Sequence, residues 1–83
     1  MILDDEKVLL DDAGISQDIQ DQFVTAVGDT GMSGLVLYNT YVAWKAANST
    51  KDFIDLVTQT TAAYEAATDG SRFYDIFVKL LAG

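Results

Sequence analysis

The side chains in this chain that could do chemistry are carboxylates and hydroxyls, because histidine and cysteine are both absent. Without histidine there is no near-neutral general base, no pH switch and no imidazole metal ligand. Without cysteine there is no disulfide framework and no thiolate site. The serines have no imidazole to activate them as nucleophiles. A pair of carboxylates can act as acid and base when a cleft drives their pKa values apart. The adjacent acids Asp4-Asp5 and Asp11-Asp12 instead read as exposed helix-end residues. A chain of 83 residues buries only about 60–65% of its unfolded surface, and such a thin core rarely builds a cleft of that kind. A calcium loop needs oxygen ligands at alternating positions around a glycine, closed by a glutamate, and no window supplies them. The expectation is therefore no catalytic residue, no metal site and no cofactor, in a protein that is not an enzyme.

What the carboxylates offer instead is a field. Residues 1–29 hold eight acids against Lys7, a net of −7, whereas residues 30–83 hold five acids against Lys45, Lys51, Arg72 and Lys79, a net of −1. A surface of this sign repels nucleic acid and anionic membrane and attracts basic partners. Asp4, Asp5, Glu6, Asp11, Asp12, Asp18 and Asp21 are the candidate partner-binding acids. Acids that merely keep the domain soluble, or that mark adaptation to salt, are the competing explanations.

The elements that must position these residues read as helices. The chain has no proline, and its length allows one domain, spanning residues 1–83, with a stability of about 3–5 kcal/mol. Asp4 or Asp5 is expected to cap a first helix, stopped by Gly14, with Ile15 packing back on Leu10. Ser16 is expected to cap a second helix. Its Ile19, Phe23, Val24 and Val27 form an apolar face opposite Gln17, Asp18, Asp21 and Gln22, and Gly28 ends it. Residues 29–34, rich in glycine, read as the most flexible segment.

Leu35 to Ala47 carries two apolar stripes, Leu35/Tyr38/Val42 and Leu37/Tyr41/Trp44, and predicts a central, buried helix. Its strand formers leave a hairpin at 35–44, turning at Asn39-Thr40, as the alternative. Ser49 or Thr50 is expected to cap the next helix, running to about Thr68, with Phe53, Val57, Thr60 and Tyr64 on one face. Leu56, Ala63 and Ala67 flank that face, and the alanines around them would let another helix come close. Asp69-Gly70-Ser71 reads as a stop followed by a cap. Phe73, Ile76, Phe77, Leu80 and Leu81 then give the cleanest helical spacing in the chain, widened by Tyr74 and Val78. The sum is an all-α, compact bundle of four to five short helices.

Two local patterns resemble known families. Ala13-Gly14-Ile15-Ser16-Gln17 is similar to the turn of a DNA-binding helix-turn-helix. The helix after that turn presents Asp18 and Asp21 without a lysine or arginine, and Ile19 comes one position early, with Gln20 where an apolar residue belongs. The resemblance implies helix-turn-helix geometry without direct nucleic-acid binding. Ser33, after a glycine-containing loop and before a helix in an acidic domain, resembles the phosphopantetheine-bearing serine of acyl and peptidyl carrier proteins. Phe73-Tyr74-Asp75-Ile76-Phe77 loosely resembles their last helix. The resemblance implies modification at Ser33, although Met32 and Gly34 flank it here where carriers have Asp-Ser-Leu or Gly-x-Ser-Leu. Ser33 as an ordinary N-cap is the plainer reading.

Tyr38, Tyr41, Trp44, Tyr74 and Val78 are the candidate apolar patch, because a domain this small can hardly bury every ring it carries. The leading expectation is a non-enzymatic protein-interaction module of adaptor, inhibitor or viral accessory or assembly type. It would bind a basic protein partner through the acidic N-terminal face and the aromatic–aliphatic patch, and self-association into a homo-oligomer is a further expectation. The alternative is a carrier-like domain modified at Ser33. The first residues lack the pattern of a secretory signal, and residues 34–47 are too short and polar to span a membrane. A cytoplasmic location without membrane contact is the corresponding expectation.

Overall fold

The first turn of the chain is organised by Glu6, whose carboxylate reaches back to accept the Leu3 backbone N–H at 3.2 Å. This is half of a capping box: leucine has no side-chain acceptor to return the bond. The cap of α1 (Asp4–Asp12) is accordingly Leu3 rather than Asp4 or Asp5. Those acids lie in the first turn, where the helix dipole favours them. The computed structural model describes residues 2–28 and 33–83. The expected glycine-rich break falls largely on 29–32, outside the described residues.

α1 closes as expected. Gly14 takes φ +80°, the Ile15 N–H bonds the Leu10 carbonyl and the Gly14 N–H bonds that of Asp11. These are the two bonds of a Schellman motif, and Leu10 and Ile15 are both buried. Ser16 then caps α2 (Gln17–Val27), accepting the Ile19 N–H at 3.3 Å. Phe23 and Val27 face the core, Ile19 is half-buried, and Val24 is exposed.

α3 (Gly34–Ala46) is continuous helix, so the hairpin alternative is not adopted. Leu37, Thr40 and Tyr41 face the interior with Trp44 half-buried beside them, a row at i, i+3, i+4 and i+7. The helix is not buried all round, however. The stripe at Leu35, Tyr38 and Val42 is the outer one, with Leu35 50% and Val42 46% exposed.

α4 (Phe53–Ala66) is capped by Asp52, which accepts the Asp55 N–H at 3.0 Å. It therefore starts later than Ser49 or Thr50 would place it. Phe53, Leu56, Val57, Thr60 and Thr61 are buried. The buried threonine hydroxyls donate to carbonyls one turn earlier, Thr60 to Leu56 and Thr61 to Val57, which satisfies them within their own helix. Ala62, Ala63 and Ala66 stay exposed. Of these small residues, Ala63 and Ala66 border a shallow groove facing Ile76 and Leu80. α5 (Phe73–Ala82) begins after Arg72, not Ser71. Ser71 instead donates its N–H and hydroxyl to Asp69, holding that carboxyl below its ordinary pKa.

Five helices and no strand occur among the described residues, an all-α bundle of short helices. α4 packs on α2 and α5, while α3 packs on α5 and α1. Two aromatic groups join them. Phe53 sits at 5.3 Å from Tyr41, 5.6 Å from Trp44 and 5.9 Å from Phe77, tying α3, α4 and α5 together. Phe73 sits at 6.3 Å from Phe23 and 6.0 Å from Tyr64, tying α2, α4 and α5. Most of these pairs are edge-to-face, the arrangement the ring quadrupole favours. The 47–52 connection is clamped twice. The Trp44 indole N–H donates to the Lys51 carbonyl at 2.7 Å, and the Lys51 ammonium donates to the Leu80 carbonyl at 2.9 Å.

Candidate functional site

On α1 the acids surround an apolar residue. Val8 is 61% exposed, and Asp4, Asp5, Asp11 and Asp12 stand three or four positions from it on either side. That spacing makes them its neighbours on the helix surface. Asp4, Asp5, Asp12, Asp18 and Asp21 are all exposed. Lys7, the one cation in residues 1–29, is engaged by Asp11 at 3.3 Å and Gln17 at 2.6 Å. Gln17 donates in turn to Asp21 at 2.8 Å, so a polar network bridges α1 and α2 and leaves the field outside it uncompensated.

Two of the expected acids do other work. Glu6 is half-buried, and besides Leu3 its Oε1 accepts the Gly34 N–H at 3.0 Å. It caps its own helix and α3 together. The two backbone N–H groups, Leu3 first, hold its carboxyl below the ordinary glutamate value. Gly34 permits the approach: a Cβ there would stand 2.8 Å from that of Glu6. Glu6 is thus a structural strut, not a free partner-binding acid. Asp11 accepts from Gln20 Nε2 at 3.0 Å. That bond, and then Lys7, lowers its pKa.

Gln20 itself was legible only as a departure from the helix-turn-helix pattern. It is 1% exposed, and its amide donates to the Ile15 carbonyl at 2.9 Å, so it fills the position where an apolar residue belongs. A signal was present: Gln20, Phe23 and Val27 share one helical row.

The acid face and its strut make a checkable prediction. Glu6→Gln should destabilise the domain by about 1 kcal/mol, the usual worth of a cap. Because the folded-state pKa is depressed, the stabilisation is full above the unfolded value and is lost as pH falls through the lowered one. The gap between wild-type and variant urea midpoints should be open at neutral pH and close in acid. A gap constant down to pH values where carboxylates are protonated refutes the strut.

The proposed apolar patch divides. Tyr41 is buried and Trp44 half-buried in the ring group of Phe53, so neither is patch surface. Lys45 lies 5.5 Å above the Tyr41 ring. Tyr38 is half-buried, on the outer stripe with Leu35 and Val42. Tyr74 and Val78 are 41% and 37% exposed. They line an open groove with Ala43, Ala46, Ala47 and Leu81, so α3 and α5 present one apolar face.

Ser33 stands at the N-cap of α3, and its side chain makes no capping bond. Its carbonyl accepts the Val36 and Leu37 N–H groups. The neighbouring Gly34 amide, of the kind that would face a phosphate at a helix N-terminus, is already bonded to Glu6. Among the described residues no group of three carboxylates could hold a metal, and no helix is long and apolar enough to cross a membrane. No family model matches the chain, and neither a curated protein nor a solved structure matches it.

Proposed function

We propose that the protein is a non-enzymatic interaction module whose α1–α2 face receives a basic segment of a protein partner. The observation that carries this reading is Val8, an exposed aliphatic side chain in the middle of four carboxylates. A partner helix with one apolar residue ringed by lysine or arginine has matching chemistry. The apolar contact supplies desolvation and the charges steer the approach. Adaptor, inhibitor and accessory or assembly roles all fall within this reading.

The test uses a synthetic amphipathic peptide of lysine and leucine at helical spacing, followed by amide chemical-shift mapping. Shifts should concentrate on residues 4–12 and 17–22, and binding should weaken steeply with salt. Asp5→Asn with Asp12→Asn should lower affinity several-fold, since each exposed ion pair contributes up to about 1 kcal/mol. Shifts spread evenly over the chain, or binding indifferent to both substitutions, would discard the reading. So would a domain that binds no such peptide and simply gains stability with salt.

A further inference from the structure

The connection between α4 and α5 places a carboxyl beside an uncommitted backbone amide. Asp69 is followed by Gly70, the one Asp-Gly pair in the chain, and both residues are exposed. Glycine has no Cβ to shield its nitrogen, and Gly70 holds φ +80°, a conformation that other residues rarely adopt. The connection lies outside the helices, and among the described residues no backbone carbonyl takes the Gly70 N–H. That nitrogen is therefore not tied into a hydrogen-bond ladder, as the amides of helix interiors are. The Asp69 carboxylate, by contrast, is held. Its Oδ1 accepts the Ser71 hydroxyl at 2.6 Å and the Ser71 N–H at 3.0 Å.

We propose that Asp69-Gly70 is a site of spontaneous aspartate isomerisation and that Ser71 sets its rate. In this reaction the Gly70 nitrogen attacks Asp69 Cγ. A Cγ–N bond forms, the Cγ–OH bond breaks, and the hydroxyl leaves as water with the amide proton, closing a cyclic imide. Solvent water then adds to either imide carbonyl. Opening at Cγ restores aspartate. Opening at the main-chain carbonyl leaves the chain running through Cβ, as isoaspartate, with no net change in mass. The neutral acid is the form attacked, because an ionised carboxylate is a poor electrophile without a leaving group. Both Ser71 bonds favour the ionised form, and Lys79, which lines the same groove, acts in the same sense. Asp75 also lines that groove but is paired with Arg72. Ser71 thereby protects the carboxyl it binds. Isomerisation would insert a methylene into the backbone shortly before Phe73, which is packed against Phe23 and Tyr64, and would loosen the start of α5.

The test is to age the protein for several weeks at mildly acidic pH and body temperature. Peptide mapping with fragmentation that separates isoaspartate from aspartate then locates the product. Isoaspartate should accumulate at Asp69 ahead of the aspartates inside the helices. Ser71→Ala should raise the rate several-fold, with helicity checked by circular dichroism. Ser71→Thr keeps the hydroxyl and should age like the wild type. In urea-unfolded chains, where the Ser71 bonds are gone, wild type and Ser71→Ala should age at one rate. Isoaspartate appearing first at a helical aspartate, or none at Asp69, refutes the site. Equal rates for the folded wild type and Ser71→Ala, or an excess in Ser71→Ala that persists in urea, refutes the role of Ser71.

Discussion

Phe77→Ala is expected to abolish cooperative folding at 25 °C. Phe77 is fully buried, and its ring meets Phe53, which also holds Tyr41 and Trp44. Truncating a buried phenylalanine costs about 3–5 kcal/mol, the lost transfer energy plus the cavity left behind. A domain of this size has a stability of about 3–5 kcal/mol, so the loss consumes nearly all of it. Thermal denaturation followed by circular dichroism should show a sigmoidal transition for the wild type and a shallow slope for the variant. Tyr74→Ala on the same helix is the control: its exposed ring should change stability by no more than about 0.5 kcal/mol. A cooperative transition in Phe77→Ala within a few degrees of wild type would mean that the ring group is not what holds α3, α4 and α5 together.

Gln20→Leu is expected to destabilise the domain by about 1–3 kcal/mol, although it swaps a polar residue for an apolar one at a buried position. The reason is the Ile15 carbonyl, which accepts from the Gln20 amide within the turn. Removing the donor leaves that oxygen buried without its partner, and an orphaned group carries its full desolvation penalty. Gln20→Ala should cost more, since it adds a cavity. Both variants should also move the Asp11 pKa upward toward the ordinary carboxylate value, because the Gln20 bond is its main depressant. Chemical denaturation measures the first effect and carbon-detected carboxyl titration the second. A stabilised Gln20→Leu would show that the position prefers burial to hydrogen bonding, as the helix-turn-helix pattern itself suggests.

How much of this was legible in the sequence depends on how many answers each segment allowed. α5 has one apolar row, so its buried face followed from spacing, and Phe73 and Phe77 are where the period puts them. The end of α1 was equally determined, since Gly14 can adopt positive φ cheaply and Ile15 then has one place to go. α3 has two apolar rows, and periodicity cannot say which of them a neighbour covers. Packing on α1 and α5 hid Leu37 and Tyr41 and left Leu35 and Val42 outside. The start of α4 was blurred by Asn48, Ser49, Thr50 and Asp52, four cap-forming residues in a short run. Asp52 was selected because the turn it begins buries Phe53. Among the described residues of the N-terminal third, the acids are outward except for Glu6, which is half-buried. Its second bond, to Gly34, spans 28 positions, and no local pattern reports a contact of that range.

The clamp around residue 51 has a consequence for anyone watching this molecule unfold by light. Trp44 is the one tryptophan in the chain, and its indole is bonded inside that clamp, against the rings of Tyr41 and Phe53. Its emission therefore reports detachment at the α3–α5 end. Fraying of the acidic first helix, far along the chain from this fluorophore, would leave the signal unchanged and needs an amide-resolved probe.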